Sequence, residues 1–319
     1  MVNVVLDFEK PVMELEAKVR ELQNLSASND IDVSDEIAVL EKKLEATKEK
    51  VYHNLSAWER VQLARHPNRP YTLDYVDEIF TDYLQLHGDR RYGEDAAIVG
   101  GFAKIDDQKI MVIGTQKGRN IKENVYRNFG CPHPEGYRKA LRLMELADSS
   151  NVPIITFIDT PGAFPGIASE ERHIGEAIAV NLREMFNISV PIISIVLGEG
   201  GSGGALGIGV GNKILVMEHA YYSVITPEGC AAILWKDRAF SAKAAKSLRL
   251  TSTELKELGI VDEVVPEPIG GAHNHFEEAA QLLKKSIKKN LQELGKLSSE
   301  KLKEQRYQKY RHIGKFIEE

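Results

Sequence analysis

The sequence predicts an α/β protein whose strands pair in parallel, and three observations carry this prediction. Short apolar runs such as 153–158 and 190–197 are typical of strands buried on both faces. Amphipathic stretches such as 135–147 separate these runs, and alternating strands and helices are typical of parallel pairing. Glycine-containing turns directly follow two of the apolar runs, where a strand ends and a helix begins.

Residues 1–70 are predicted to form a helical hairpin followed by a linker. Apolar residues fall at heptad spacing on both sides of a polar break at 26–30, which indicates two antiparallel helices. Their positions are Val12, Leu15, Val19, Leu22, Ile37, Leu40, Leu44 and Val51. Two prolines in the segment 66–71 interrupt the helical pattern, so we place the domain boundary there.

Residues 71–270 are predicted to form the α/β core domain. A capping box formed by Thr251 and Glu254 begins its last helix, and Gly259 ends that helix. The predicted strands are 98–105, 109–114, 153–158, 190–197, 214–217, 222–225 and 260–265, and the predicted helices are 135–147, 170–186, 203–211 and 251–259.

Residues 271–319 are predicted to be a helical C-terminal extension. One amphipathic stripe runs along it, formed by Phe276, Ala280, Leu283, Ile287, Leu291 and Leu294. We interpret the lysine-rich stretch 284–315 as the solvated side of this extension and not as a nucleic-acid patch.

Composition excludes several classes of protein. Of the 319 residues, 43% are hydrophobic and 28% are charged, which is ordinary globular usage and not that of a disordered or fibrous chain. The net charge of −6 provides no overall field for nucleic acid or an anionic membrane. Two cysteines, Cys131 and Cys230, support neither a disulfide framework nor a zinc site, so a reducing cytoplasm fits best. We expect neither a membrane span nor a signal peptide.

The most informative segment is the glycine-rich stretch 198–207, which permits several interpretations. Gly198, Gly200 and Gly203 match the dinucleotide-binding fingerprint, and Glu218 follows at the distance of a ribose ligand. This match predicts a Rossmann-type oxidoreductase, although it lies late in the chain instead of at the first strand-to-helix turn. The same glycines would also let a helix pack closely on the sheet without any further function.

Ser202 lies in a G-x-S-x-G pattern, which is typical of a nucleophile elbow. His219 or His273 would then act as the base. Such a triad also needs an acidic residue in the right chain order, and nothing in the sequence selects Asp237 or Asp262 for that role.

The remaining interpretation is an oxyanion hole. Glycines at a strand-to-helix turn leave backbone N–H groups pointing out of the helix N-terminus, where they stabilise negative charge on a carbonyl oxygen. A second segment of the same kind, 159–166, also follows a buried strand, and Pro161 and Pro165 make it rigid. Because both turns follow parallel strands, we expect two sets of N–H donors at one edge of the sheet. Taken alone, Asp159 would be only a capping residue of a plain loop.

The chain resembles the carboxyltransferase alpha subunits of multi-subunit acetyl-CoA carboxylases, which belong to the crotonase-like superfamily. The resemblance covers essentially the whole chain and implies a crotonase-like ββα-superhelix core with a helical hairpin before it and helices after it. It rests on HPNRPYTLDY (66–75), PEGYRKALRL (134–143), ITFIDTPGA (155–163), GEGGSGGA (198–205) and PEGC (227–230).

The resemblance implies a reaction in which a carboxyl group passes from carboxybiotin to acetyl-CoA and gives malonyl-CoA, the committed step of fatty acid synthesis. Biotin is carried by another protein and is not covalently bound to this chain. During the transfer, negative charge develops on the ureido oxygen of biotin and on the carbonyl oxygen of the acetyl-CoA thioester. Preorganised N–H donors that stabilise this charge therefore serve in place of a side-chain base.

Site residues follow from the same resemblance. It implies that Gly203 and Gly204 donate to the biotin ureido oxygen and that Gly162 and Ala163 form a second set of donors. The implied substrate-binding residues are Gly200, Gly201, Ser202, Phe164, Glu228 and Gly229. Lys117 and Arg119 could meet the phosphates of coenzyme A, but a plain exposed basic loop is the simpler interpretation of that segment.

Partners are implied as well. Carboxyltransferases of this family resemble two crotonase-like units facing each other, and this chain holds one. The other unit is a beta subunit that carries zinc and most of the acyl-CoA site. We therefore predict an α₂β₂ assembly, no metal in this chain, and activity only when this chain and the beta subunit are combined. A biotin carboxyl carrier protein and a biotin carboxylase complete the set, and the helical ends are possible docking arms. A non-catalytic scaffold for the carrier protein is the remaining alternative.

Overall fold

The structure, a computed structural model, describes residues 4–29 and 33–314. Its strands are β1 Thr81–Gln85, β2 Ile98–Ile105, β3 Gln108–Thr115, β4 Ile154–Thr160, β5 Ile192–Gly201, β6 Lys213–Met217, β7 Tyr221–Ser223 and β8 Glu263–Val265. Its helices are α1 Lys10–Asn29, α2 Ser34–His53, α3 Ala57–Ala64, α4 Thr72–Ile79, α5 Ile121–Tyr126, α6 Pro134–Ser149, α7 Ile167–Glu171, α8 Ile174–Met185, α9 Ser202–Leu206, α10 Pro227–Trp235, α11 Ser241–Leu248, α12 Ser252–Glu257, α13 Phe276–Leu294 and α14 Ser299–Arg311.

The strands of the described residues form one mixed sheet in the order β1-β2-β3-β4-β5-β6-β8, with β7 beside the end of β5. Strands from β3 to β8 pair in parallel, which confirms the predicted α/β core. The first three strands are antiparallel, because only a two-residue turn at 106–107 joins β2 to β3. The parallel core is therefore extended at one edge by an antiparallel region.

The centre of the sheet is the most deeply buried part of the molecule. Every residue of β4 and β5 is buried, as their continuous apolar runs require. Helix α6 packs on β2 and β3, and α8 packs on α6. Helices α4 and α13 pack on each other and on strands of the same sheet. The two central strands end at neighbouring positions, which is where the candidate site lies.

Three predicted elements differ from the structure. The helix predicted at 203–211 ends at Leu206. The single helix predicted at 170–186 is broken into α7 and α8, because His173 adopts a left-handed conformation with φ of 64° and interrupts the helical ladder. The first glycines of the segment 198–207 do not form a turn, since β5 continues through Gly201 before α9 begins.

The N-terminal hairpin is present as predicted. Helices α1 and α2 pack against each other through Val12, Leu15 and Leu44. The proline-containing segment after them is tied to the core, because the buried guanidinium of Arg69 donates to the carbonyl oxygen of Leu197 and pairs with Glu267. The position of the domain boundary stays a prediction.

The C-terminal helices are less exposed than the sequence suggests. The predicted stripe of α13 is buried in the main core, so it is not available for docking. Lysines such as Lys288 lie on the solvated side, but the Lys309 ammonium donates to the Asn212 carbonyl oxygen at 2.7 Å and pairs with Asp262. Lys315 lies outside the described residues. Among the helices that the structure describes, none is long and apolar enough to span a membrane.

Candidate active site

The two glycine-containing turns meet at the ends of β4 and β5, where Thr160 pairs with Gly200. The contact is so close that only glycine fits on one side of it. A Cβ atom on Gly201 would stand 2.1 Å from the carbonyl oxygen of Pro161, and one on Gly204 would stand 2.4 Å from the carbonyl carbon of Gly162. The predicted proximity of the turns is therefore confirmed, and it requires backbone-to-backbone contact.

Not every N–H group of these turns is available to a ligand. The N–H of Gly162 donates to Thr160 Oγ1 at 3.1 Å, and that of Phe164 donates to the carbonyl oxygen of Pro132 at 3.0 Å. Gly203 and Gly204 lie in the first turn of α9, where N–H groups have no partner within the helix. Among the described residues, Ala163 N–H also makes no hydrogen bond. Ala163, Gly203 and Gly204 are thus the available donors.

Two of the substrate-binding residues implied by the resemblance, Ser202 and Phe164, adjoin these donors in the chain. Ser202 is exposed at the start of α9, and the ring of Phe164 lies 4.2 Å from the ring of His133. The N–H of Gly229 is not available, since it donates to Thr226 Oγ1 at 3.1 Å as part of the N-terminal cap of α10. The roles of all these residues stay predictions.

Ser202 adopts a left-handed conformation with φ of 49°, as in a nucleophile elbow, but no base reaches it among the described residues. Within the described residues, no hydrogen bond joins Ser202 to either histidine. The His219 ring contacts the Arg60 guanidinium, and the His273 ring contacts the Glu9 carboxylate. The two acids that could have completed a triad are also engaged elsewhere: Asp237 caps a short helical turn at Ala239, and Asp262 binds the N–H of Ile214.

The dinucleotide interpretation also fails structurally. A dinucleotide fingerprint needs its glycines at a strand-to-helix turn, but here Gly198 and Gly200 lie inside β5. Glu218, the predicted ribose ligand, accepts the N–H of Glu267 at 3.0 Å and so serves the core. The sheet order is not that of a Rossmann fold either.

A cluster of buried and half-buried charges lies behind the turns, and we call it the charged cluster: Arg65, Lys117, Asp159, Glu199 and Glu228. Lys117 Nζ lies 2.7 Å from Asp159 Oδ1 and 2.7 Å from Glu199 Oε2. Arg65 Nε lies 2.7 Å from Glu199 Oε1, and Arg65 Nη1 lies 2.5 Å from Glu228 Oε1. These pairs connect the ends of β4 and β5 to α3 and α10.

Hydrogen bonds extend the charged cluster to the backbone of the site. Asp159 Oδ1 also accepts the N–H of Glu199 at 2.9 Å, so β4 and β5 are joined just before their glycines. The Tyr221 hydroxyl donates to Glu199 Oε1 at 2.7 Å and accepts from Arg65 Nη2 at 3.0 Å. Glu228 Oε2 is buried and has no partner among the described residues.

Two members of the charged cluster have strongly shifted pKa values. Burial opposes the charge on Glu199, but Lys117 and Arg65 outweigh burial and lower its pKa to about 2. Burial also opposes the charge on Lys117, yet Asp159 and Glu199 raise its pKa. Glu199 and Lys117 therefore stay ionised near neutral pH, and they hold the turns in position instead of exchanging protons.

Local sequence explains how two of these side chains reach the cluster. Helix α3 begins with a capping box between Ser56 and Glu59, and Arg65 stands at its other end, directed at β5. Thr226 caps α10 and is followed by Pro227 at the first helical position, which places Glu228 in the first turn of that helix.

The prediction that residues 117–119 form an exposed basic loop holds for one of the two cations. The Lys117 side chain is only 12% exposed and belongs to the charged cluster, so the prediction is wrong for this residue. The Arg119 side chain is exposed as predicted, and its guanidinium lies 3.9 Å from the Tyr71 ring centre, donates to the carbonyl oxygen of Arg69 and pairs with Asp74. Lys117 is therefore not a free phosphate ligand.

Sequence reasoning missed Arg65, Glu199 and Tyr221. Glu199 was visible in principle, since a charged residue between Leu197, Gly198 and Gly200 interrupts a buried apolar run. A buried carboxylate requires a cation nearby. No local signal identifies Arg65 as that cation, because it lies 134 residues away in the chain.

One group of described side chains has the composition of a metal site. Ligand atoms of Glu9, His66 and His273 lie within 4.8 Å of one another. His66 uses both ring nitrogens, one with the carbonyl oxygen of Val4 and one with the N–H of Asn68. The group links the N-terminal segment to the core and is distinct from the glycine turns, but His273 Nδ1 is buried without a hydrogen-bond partner among the described residues.

Comparison with known proteins identifies the family. A family model described as acetyl co-enzyme A carboxylase carboxyltransferase-like matches residues 5–314. This chain belongs to that family. The acetyl-coenzyme A carboxylase carboxyl transferase subunit alpha of Geobacter metallireducens is 56% identical over 313 residues, which cover 98% of each chain. The resemblance seen in the sequence is confirmed, and the chain is an alpha-type carboxyltransferase subunit.

Solved structures support the crotonase-like fold. A transcarboxylase 12S structure is similar with a TM-score of 0.54 at 20% identity, covering 69% of this chain and 44% of that chain. One chain of a Pseudomonas malonate decarboxylase heterodimer is similar with a TM-score of 0.53 at 14% identity, covering 64% of this chain and 84% of that chain. This chain thus spans less than half of the transcarboxylase chain but most of the decarboxylase chain.

Proposed function

We propose that this chain binds carboxybiotin at its glycine turns and, together with a second subunit, transfers the carboxyl group to acetyl-CoA to give malonyl-CoA. The observation that carries the proposal is the meeting of the two turns, which leaves the N–H groups of Gly203, Gly204 and Ala163 available at one edge of the sheet. Family membership names the chemistry that such donors would serve.

The residues present fit a carboxybiotin ligand. The bound carrier would supply the carboxyl group and a ureido oxygen that gains negative charge when the carboxyl group leaves. Backbone N–H groups at a helix start are suited to that charge, because they are already oriented and cost no reorganisation. A Cβ placed on Gly162 would meet no atom within 4 Å, so space is open above the turn.

Each donor receives a specific role in this proposal. Gly203 and Gly204 donate to the ureido oxygen, and Ala163 donates from the facing turn. Gly162 shapes that turn, since its own N–H is bound to Thr160. Gly200 and Gly201 let the backbones approach, while Ser202, Phe164, Glu228 and Gly229 line the substrate side.

The second subunit completes the site. This chain covers 44% of a transcarboxylase chain, as one of two similar units would. The malonate decarboxylase neighbour belongs to a heterodimer, which offers a precedent for separate chains. We propose a zinc-bearing beta subunit in an α₂β₂ assembly with most of the acyl-CoA site, and a carrier protein charged by a biotin carboxylase. Cys131 and Cys230 are free thiols, in line with zinc lying in the partner and with a reducing cytoplasm.

Reconstitution tests the proposal. Malonyl-CoA formation from acetyl-CoA and carboxylated carrier protein is measured with this chain alone, with a beta subunit alone and with both. We expect product only in the mixture. Product from this chain alone would contradict the shared site, and no product from well-folded subunits that co-purify would contradict the proposed reaction.

A matched pair of variants tests the donor at Gly203. Gly203→Ala keeps the N–H, and its Cβ would lie 3.5 Å from Ile178 Cδ1, an ordinary contact. Gly203→Pro removes the N–H in a first helical turn, where proline is tolerated. We expect a loss of about 10²–10³-fold in turnover for proline and little change for alanine. Equal turnover by two variants that fold and assemble would favour a scaffold role. Gly204 is unsuitable for this test, because any side chain there collides with Gly162.

A further inference from the structure

A cavity of about 390 Å³ lies beside α6 and α8, on a different side of them from the glycine turns. Five arginines line it, and we call it the arginine pocket: Arg90, Arg91, Arg138, Arg142 and Arg172. They come from the loop before β2, from α6 and from the junction between α7 and α8. Only three carboxylates share the lining, so the pocket carries an excess of positive charge.

Two of the arginines form the wall of the arginine pocket. Arg138 Nε lies 2.8 Å from Asp89 Oδ2, and Arg172 binds both carboxylate oxygens of Glu135, with its Nη2 at 2.9 Å and its Nε at 3.0 Å. Asp89 in turn accepts three backbone N–H groups of its own loop. Arg138 and Arg172 are thus already paired with carboxylates, and the pair between Arg138 and Asp89 fixes the loop before β2 against α6.

The other three arginines have no carboxylate partner among the described residues. Arg90 Nη1 donates to the carbonyl oxygen of His87 at 2.7 Å, and Arg142 donates to the carbonyl oxygens of His87 and Gly88. Arg91 makes no side-chain hydrogen bond within the described residues. Each guanidinium has five N–H donors, so most of the donors in this group are unused.

The charges of these arginines also act on one another. Burial lowers the pKa of Arg142 and the nearby charge of Arg90 lowers it further, while the charges of Glu94 and Asp89 act in the opposite direction. Like charges are therefore brought together around an open volume, an arrangement that an anion would stabilise.

We propose that the arginine pocket binds the phosphate groups of a phosphorylated ligand. The planar donor fork of arginine matches phosphate oxygens, and several forks around one cavity match a ligand with more than one negative charge. Two sources share this chemistry: the phosphates of coenzyme A, or a free polyphosphate or nucleotide. The first source rests on the proposed function, whereas the phosphate chemistry does not.

The arginine pocket is connected to the candidate active site by a single layer of side chains. Ala177 lines the cavity and also belongs to a small apolar cluster with Tyr137, Ile178 and Ala163. Ile178 is the side chain nearest to Gly203, and the Tyr137 hydroxyl donates to the carbonyl oxygen of Gly204 at 3.2 Å. An anion in the pocket is therefore placed to influence the position of α9.

Calorimetric titration of the full chain, without partner or carrier, tests the proposal with pyrophosphate, coenzyme A and dephospho-coenzyme A as probes. We expect pyrophosphate to bind and the affinity to fall steeply with salt. Tighter binding of coenzyme A than of its dephospho form would identify the coenzyme as the source, and binding of pyrophosphate alone would identify a free phosphate compound. Both results support the pocket.

Variants complete the test. The double variant Arg90→Gln and Arg142→Gln should bind at least about tenfold more weakly. The control Arg183→Gln changes an exposed arginine of α8 outside the pocket and should bind as the unchanged chain does. Arg91→Glu, at an exposed side chain without contacts, serves if the double variant fails to fold. Binding of none of the probes, or equal binding by pocket and control variants, would overturn the inference and leave the proposed transfer reaction untouched.

Discussion

The glycine turns and the charged cluster are adjacent but are built in opposite ways. The turns present backbone N–H groups and almost no side chains, whereas the cluster consists of long charged side chains removed from water. The turns offer donors that remain available, and in the cluster nearly every charge is paired. The difference teaches that an oxyanion site made of backbone needs a rigid support, because glycine itself contributes no side-chain packing.

The support acts at specific atoms. Glu199 lies directly before Gly200 of β5, Asp159 lies three residues before Gly162, and Lys117 binds both carboxylates. The strand ends are thus held at a fixed spacing by ion pairs, while the turns themselves are held by direct backbone contact. If this division is correct, removing a charge from the cluster will mainly lower stability, and removing a backbone donor from the turns will mainly lower turnover.

The largest expected effect on stability comes from Lys117→Met. It leaves the carboxylates of Asp159 and Glu199 buried side by side without their shared cation, which should lower the free energy of unfolding by about 3–5 kcal/mol. Urea unfolding followed by circular dichroism measures this. The control Lys104→Met removes an exposed pair with Asp82 and should leave the free energy of unfolding nearly unchanged. Equal costs would show that the cluster gives no special support.

A smaller loss of stability is expected from Gly201→Ala. Its Cβ would collide with the carbonyl oxygen of Pro161 and push the two turns apart, which should cost about 1–3 kcal/mol. The matched control is Gly203→Ala, where space is available, and its melting temperature should stay within about 2 °C of the parent value. A Gly201→Ala variant as stable as the control would contradict the close contact.

The pH dependence of stability separates the cluster from ordinary surface carboxylates. The pKa of Glu199 is lowered to about 2 in the folded chain, so its contribution is complete above the ordinary glutamate pKa and is lost as pH falls toward 2. In the parent chain the unfolding free energy falls as pH drops from about 5 to 2, partly because Glu199 takes up a proton on unfolding. Glu199→Gln removes this proton, so the slope of unfolding free energy against pH should decrease by up to about 1.4 kcal/mol per pH unit. A slope in Glu199→Gln as steep as that of the parent chain would contradict the prediction.

The smallest effect is expected from Ser202→Ala. If the turn acts only through its backbone, malonyl-CoA formation by the reconstituted subunits should change by less than about threefold. A nucleophilic serine would instead cause a loss of about 10⁶-fold. Comparison of these outcomes in one assay decides whether the side chain at the start of α9 takes part in the chemistry.

Local pattern was sufficient to predict most strands, the N-terminal hairpin and the meeting of the glycine turns. Apolar runs define buried strands, and parallel neighbours end at the same edge, so the turns after β4 and β5 had to be close. Pattern failed at His173, because the left-handed residue that breaks the helix is not glycine. It also failed for α13, since an amphipathic stripe does not reveal whether it covers the chain's own core or a partner.

The sequence alone determined which residue types form the site: glycines where two backbones must approach each other, and N–H donors at the start of a helix. The tertiary structure decided which donors are available, because Gly162 and Phe164 give their N–H groups to Thr160 and Pro132 while Ala163 does not. It also decided the partners of Lys117 and Arg65. Periodicity encodes burial along a few turns of chain, but pairing between residues more than a hundred positions apart depends on how the packed elements bring charges together.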